Sequence, residues 1–425
     1  MNRNTAPVIT NTSELPLELK NCRTFTLDNG VEVYLMEGGS QEVLSLDWIF
    51  DAGNCFEQKN LVSGATSFLL RCGTKDMNAF EINETFENYG AFLKRDNRSE
   101  TASLSLHSLT KHLPELLPTV QKIIYESVFP QNELDIYRQN SLQHLRINLK
   151  KGDYVATRLI DACVYGENHP YGRYSTEEAY NAITREDCLA HYEQYYKNGS
   201  FKIFGAGILP ANIAELLNKY FGQHPFSINK PAPEIYTLHP GAEKKLRIKN
   251  DEHSVQGAIR LARPFGNRHD PDFPGVMVLN NIWGGYFGSR LMSNIREDKG
   301  YTYGIYSYLE NQVKQSAWMV STEAGRDVCE AAIAEIYKEM DLLKEELVDE
   351  EELLLVKNYM AGQMLGDLDG PFQLIGRWKT YILNGLGQDY FNNYVRILKT
   401  ITPEELRQLA RKYFNKEEFY EMVVM

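Results

Sequence analysis

The apolar runs of this sequence are short, of the kind of "FLL" and "ELLLV". They fall far below the ~20 residues that cross a bilayer, so no membrane partner is expected. Cysteine is sparse too: Cys22, Cys55, Cys72, Cys163, Cys188 and Cys329 include no C-x-x-C pair. That excludes a disulfide scaffold and a thiolate zinc motif and leaves buried free thiols as the expectation. Positive charge is in deficit, with 45 Lys and Arg against 57 Asp and Glu and a net charge of −12. Nucleic acid, whose backbone selects a basic face, is therefore not an expected ligand. The nine histidines contain no H-x-x-E-H and no H-x-x-x-H. The N-terminal "MNRNTAPVITNTSELPLELK" lacks the apolar stretch of a secretory signal. A cytoplasmic protein is expected, with a periplasmic one left open for a chain whose leader has been removed.

What is there is an ordinary globular composition, 43% hydrophobic and 24% charged over 425 residues. That length exceeds one compact core and predicts two or more domains. The charge runs "EELVDEEE" and "REDK" read as solvated helix surface. A seam lies at 224–241, where Pro225, Pro231, Pro233 and Pro240 interrupt any helical or alternating pattern. Either side of it the chain follows one plan. Each half opens with strand-like segments, "FTLDNGVEVYLME" with its Asn29–Gly30 turn signal and "KKLRIKNDEHSVQGAIRLA". Each continues with a helix, a glycine and a strand, then a second strand and a long amphipathic helix. Leu113, Leu117, Val120 and Ile124 mark that helix in the first half, and Val328, Ile333, Ile336 and Met340 in the second. "TREDCLAHYEQYY" and "TPEELRQLARKYF" close the halves, each starting with threonine and acidic residues, an N-cap signature. The reading is an α+β fold of two homologous halves, each a mainly antiparallel sheet with helices on one face. The expected division is an N-terminal extension (1–21), a first domain (22–225), a linker (226–240) and a second domain (241–425).

"LVSGATSFLLRCGT" (61–74) resembles the active-site helix of the pitrilysin/insulinase metallopeptidases, whose H-x-x-E-H carries zinc. Counting back from Gly73–Thr74, the three motif positions fall on Gly64, Ser67 and Phe68. Positions i, i+3 and i+4 share one helix face, which is why that spacing can place two imidazoles on one metal with a carboxylate beside them. A glycine, a hydroxyl and a phenyl ring cannot hold zinc. The resemblance places the family's third ligand, a glutamate, at Gln143 or His144 in "ELDIYRQNSLQHLRINLKK". "HPYG", with His169, is similar to another family landmark. No cofactor is expected in this chain, zinc being expected only in a partner.

"GGYFGSRLMSNIREDKGYTYGIYS" (284–307) closely resembles the second-half signature of the same family, with Gly288, Ser289 and Arg290 in register. There an arginine ends a helix, and a tyrosine seven residues later reaches with it toward the zinc site. The resemblance carries those roles onto Arg296 and Tyr303. Chemistry agrees: Gly300 suits a helix C′ position, and Arg296 in the last turn is favoured by the helix dipole. The two-residue period puts Tyr301, Tyr303 and Ile305 on one strand face. A guanidinium and a phenol aimed at one point can donate to a peptide carbonyl that becomes negative during hydrolysis.

Other motifs are weaker. "GGYFGS" lacks the Gly-Lys-Ser/Thr of a phosphate loop, and "EQYYKNGSFKIFGAG" reads as helix end, turn and core strand. The resemblance implies the non-zinc subunit of a two-chain peptidase, paired as a heterodimer with an H-x-x-E-H subunit around a peptide substrate. Such a chain is expected to be inactive alone, and a homodimer is plausible in isolation. A silent scaffold or peptide-binding protein, and a stand-alone hydrolase of other chemistry, are the alternatives.

Overall fold

The computed structural model describes residue 11 and residues 15–224 and 238–425. Most of the expected linker lies outside these residues. Among the described residues eleven strands form two sheets. The first sheet holds β1 (Arg23–Thr26), β2 (Glu32–Glu37), β3 (Val43–Phe50), β4 (Phe92–Asn97), β5 (Ala102–Leu109) and β6 (Phe201–Gly207). The second holds β7 (Lys245–Ile248), β8 (Gln256–Phe265), β9 (Thr302–Glu310), β10 (Ser316–Gly325) and β11 (Tyr420–Val424).

The spatial orders are β1-β2-β6-β3-β5-β4 and β7-β11-β8-β10-β9. Setting β1 aside, the second order repeats the first strand for strand. Each sheet has one parallel pair, β2 with β6 and β7 with β11, and is otherwise antiparallel. The fold is α+β with two halves of one topology. Both closing helices, Arg185–Tyr192 and Pro403–Tyr413, begin with capping boxes, Thr184 with Asp187 and Thr402 with Glu405. The β1–β2 hairpin turns at Gly30, where φ is 98° and glycine is required.

Each half covers one face of its sheet with its own long helices, Leu113–Glu126 and Cys329–Glu345. The opposite face receives a helix from the other half, an exchange that sequence pattern does not reveal. Helix Gly152–Tyr165 of the first half lies on β8 and β11 of the second sheet. Its Val155, Ala156 and Ile160 share one buried cluster with Ala258, Ala262, Met422 and Val424. In return, helix Pro371–Leu383 lies on β2 and β6, and Leu374 and Ile375 share a cluster with Met36, Phe204 and Ala206. Small residues permit the approach: a Cβ on Gly152 would stand 3.3 Å from the Val424 carbonyl. An ion pair marks each crossing, Arg260 with Asp153 and Lys379 with Asp47. The N-terminal stretch joins the second half's core through Leu17 and Leu19. Among the described residues no helix is long and apolar enough to cross a membrane.

Candidate functional site

Helix Phe273–Asn280 runs on into a wide π-type turn over Asn281–Gly285, and Met292–Asp298 winds the same way. Such widened turns frequently occur at functional sites. The segment is anchored on both sides. Asn280 accepts from Trp318 Nε1 (2.7 Å) and Ser307 Oγ (2.8 Å). Arg290 forks onto Glu352 at 2.9 and 2.8 Å, tying the glycine-rich turn to helix Glu350–Asp367. The stop falls at Gly300, with φ at 65°, and the Tyr301 N–H reaches back to the Ile295 carbonyl at 3.0 Å. From there the chain enters β9, the edge strand of its sheet.

Arg296 leaves the last turn and folds back over the strand. Its Nε donates to the Tyr303 carbonyl at 2.9 Å, and Nη1 lies 3.4 Å from Glu297. The guanidinium covers the exposed Phe287 ring at 4.7 Å and stands 5.9 Å from the Tyr303 ring. Nη2 has no hydrogen-bond partner among the described residues, and neither has the Tyr303 hydroxyl. Tyr303 is 91% exposed. The structure therefore brings Arg296 and Tyr303 together.

The expected sharing of one face by Tyr303 and Ile305 is not found. Ile305 is fully buried while Tyr303 projects into solvent. The cause is a shift of register: Thr322 of β10 faces Ile305 but Ala324 faces Thr302, so β9 carries an extra residue at Tyr303–Gly304. A β-bulge of this kind re-aims a side chain. Threonine hydroxyls clip it in place. The Gly304 N–H donates to Thr302 Oγ1 (3.1 Å), Thr302 donates to the Glu323 carbonyl (2.7 Å), and Thr322 Oγ1 lies 2.8 Å from Thr302 Oγ1. Phe287, Thr302 and Thr322 were missed from sequence. The available signal was Thr302 two residues before Gly304 at an edge strand.

The degenerate zinc positions lie on helix Val62–Leu69 of the first half. Its first turn is held by Glu57, whose carboxylate accepts from the Leu61 and Ser63 N–H groups at 3.2 and 2.9 Å. Arg173, just past "HPYG", pairs with the same carboxylate at 3.0 Å, and both side chains are nearly buried. Burial raises the Glu57 pKa, against which the Arg173 charge and the two N–H groups act. His169 itself serves the loop, its Nδ1 accepting from the Tyr171 N–H at 3.1 Å.

Ser67 is 2% exposed, Gly64 offers no side chain, and the Phe68 ring packs on Tyr137 with centroids 5.0 Å apart. These residues do not fit zinc: they supply one neutral hydroxyl and no anionic or imidazole donor. Among the described residues no cluster of three or more His, Cys, Asp and Glu could hold a metal. Gln143 and His144 are both exposed on helix Gln131–Asn148. The residue of that helix that meets Gly64 and Phe68 is Tyr137 instead, its hydroxyl 3.6 Å from where a Gly64 Cβ would stand. Neither Gln143 nor His144 is recorded in contact with Gly64, Ser67 or Phe68.

Comparison with known proteins agrees with the motifs. Residues 182–360 match the family model described as peptidase M16 inactive domain. The chain is 23% identical over 406 residues to "Uncharacterized zinc protease YmxG" of Bacillus subtilis, covering 93% of this chain and 96% of that one. It is 24% identical over 436 residues to "Mitochondrial-processing peptidase subunit beta" of Bos taurus, covering 94% and 84%. The crystal structure of a peptidase M16 inactive domain from Pseudomonas fluorescens superposes with a TM-score of 0.83 at 22% identity, covering 95% of this chain and 98% of that one. The chain is thus similar to M16 peptidases over nearly its whole length, and its family-model match is to a domain of the inactive type.

Proposed function

We propose that this chain is the non-zinc partner of a two-chain zinc peptidase, contributing peptide binding together with Arg296 and Tyr303. One observation carries the reading: at an exposed edge strand the Arg296 guanidinium stands 5.9 Å from the Tyr303 ring, and neither its Nη2 nor the Tyr303 hydroxyl has a partner among the described residues. In this role they donate to the scissile carbonyl as its oxygen gains negative charge. The metal site belongs to a related H-x-x-E-H subunit, since Gly64, Ser67 and Phe68 cannot hold one. A relative whose name calls it a subunit supports pairing of this kind.

Removing one such donor costs about 2.7–4 kcal/mol of transition-state stabilisation. The test is to co-purify the chain from native extract, identify its partner, and assay the pair with Tyr303→Phe. The exposed ring leaves folding unchanged, and kcat should fall by roughly 10²-fold. Substituting Arg296 as well should add less than its single loss, as expected of groups acting on one oxygen. An active pair indifferent to both substitutions overturns the reading. The second reading is a catalytically silent scaffold or peptide-binding protein, supported by the match to an inactive domain. It expects normal assembly and no change in any partner's activity.

A further inference from the structure

The degenerate metal position is not merely without ligands; a guanidinium stands over it. Arg95 and Asn97 lie two apart on β4, the edge strand of the first sheet, and so share a face toward helix Val62–Leu69. The Arg95 guanidinium stands 4.7 Å over the ring of Phe68, the last of the three motif positions. Arg95 forms no ion pair or hydrogen bond among the described residues, although the protein carries twelve more negative than positive charges. Asn97 Nδ2 donates to Ser63 Oγ at 3.2 Å, but its Oδ1 is buried without a partner. Beside these, the Tyr137 hydroxyl lies 3.6 Å from where a Gly64 Cβ would stand, with Ser141 as a neighbour. Burial raises the Tyr137 pKa, so that hydroxyl keeps its proton. A second guanidinium, that of half-buried Arg71, bonded to the Leu93 carbonyl and Asn83 Oδ1, feels Arg95 as a like charge.

A guanidinium on an aromatic platform, a phenol donor and one orphaned acceptor are complementary to a carboxylate whose own chain offers an N–H. We infer that this notch binds the carboxylate of a peptide, taken by Arg95 with Tyr137 beside it, while Asn97 Oδ1 accepts a backbone N–H of the same peptide. Guanidinium and carboxylate match in the two-pronged geometry that gives strong charged hydrogen bonds. The inference does not rest on the partner role, because the isolated chain carries the whole site.

The experiment titrates the purified full chain, with no metal and no partner, with three fluorescein-labelled peptides of equal length. One has internal Asp and Glu and an amidated end, one has no acidic residue but a free C-terminal carboxylate, and one has neither. Binding of either of the first two, with the third at least about tenfold weaker, is expected and identifies the carboxylate's source. Arg95→Ala, an exposed change, should weaken that binding about tenfold or more, and Arg95→Lys should restore only part. Gly64→Glu places the chain's own carboxylate opposite Arg95, where the nearest atoms leave room for a Cβ, and should also suppress binding. Equal affinity for all three peptides, or binding unchanged by Arg95→Ala and Gly64→Glu in chains with normal melting, overturns the inference. A positive result with an inert Arg296/Tyr303 pair would leave the notch standing and remove the partner role alone.

Discussion

Replacing Asp161 by asparagine should stabilise the chain at neutral and alkaline pH and change little in acid. Asp161 belongs to helix Gly152–Tyr165, the element of the first half laid on the second sheet, and it faces Glu310 at the end of β9. Burial raises the Asp161 pKa well above the carboxylate range, and the Glu310 charge raises it further, while Arg260 works against both. Burial raises Glu310 as well, with Gln312 and Tyr165 opposing. Arg260 cannot neutralise the pair fully, because it is already committed to Asp153. Glu310 Oε2 is buried with no partner.

The sign follows from proton counting. Between the ordinary carboxyl value, 3.8 for Asp161, and the raised folded value, the unfolded chain ionises while the folded chain keeps its proton. Stability is therefore complete below that window and is lost as pH rises through it. A tenfold change in proton affinity is worth about 1.4 kcal/mol. With partial hydration and Arg260 nearby, about 1–3 kcal/mol is a reasonable cost for the charged pair at pH 8. Asp161→Asn removes that cost. For a core of about 200 residues this corresponds to a few degrees in melting temperature. Wild type and variant should be melted in parallel from pH 3 to pH 9, their curves meeting near the acid end and separating upward. Glu310→Gln should give a similar gain, and the double variant little more, because the two carboxyls act on each other. Parallel curves, or a gain confined to acid, would refute the reasoning.

Three other outcomes follow from the geometry. Glu57→Ala leaves the nearly buried Arg173 uncompensated and unpairs the Leu61 and Ser63 N–H groups; denaturant titration should show a loss of about 3–5 kcal/mol. Thr322→Val keeps the side-chain shape but removes one hydroxyl from the bulge beneath Tyr303. It should cost about 1–3 kcal/mol in stability, and in an active pair it should lower kcat with little change in KM. Dialysis against a chelator should leave melting unchanged, and elemental analysis of the gel-filtered chain should find well under one zinc, because Gly64, Ser67 and Phe68 supply no charged donor.

What could be read from sequence was what local chemistry decides. Thr184 and Thr402 announced their helices because a hydroxyl followed at N3 by a carboxylate satisfies orphan N–H groups whatever the fold around it. Gly300 announced its stop because a left-handed residue there needs no tertiary help. The exchange of helices was invisible for the opposite reason. Val155, Ala156 and Ile160 declare an apolar face, but which sheet it meets depends on Ala258 and Ala262, about a hundred residues away in sequence. Tyr303 was misplaced because a two-residue period holds only while the ladder is unbroken, and the Thr302–Thr322 clip breaks it. The contact of Tyr137 with Phe68 was not foreseen because a motif count cannot see where one helix crosses another.

The two motif regions differ in what folding alone requires of them. Helix Val62–Leu69 buries Val62, Ala65, Thr66, Ser67 and Leu69, so it earns its place in the core with or without a metal. Loss of ligands at Gly64 and Phe68 therefore carries no large folding penalty. Tyr303 is the reverse case. A tyrosine 91% exposed contributes little burial. Presenting it requires an extra residue in β9, a break in the ladder to β10, and a set of hydroxyls to absorb the unpaired groups. An unbulged strand would have continued the alternation and given the side chain a half-buried site at lower cost. Arg296 adds a similar argument, because its Nε is committed to the Tyr303 carbonyl and fixes the rest of the guanidinium beside that ring rather than against a carboxylate on another element. Packing accounts for the degenerate helix and not for the exposed pair. The proposed role supplies the missing reason, a set of donors for a carbonyl oxygen arriving from outside the chain.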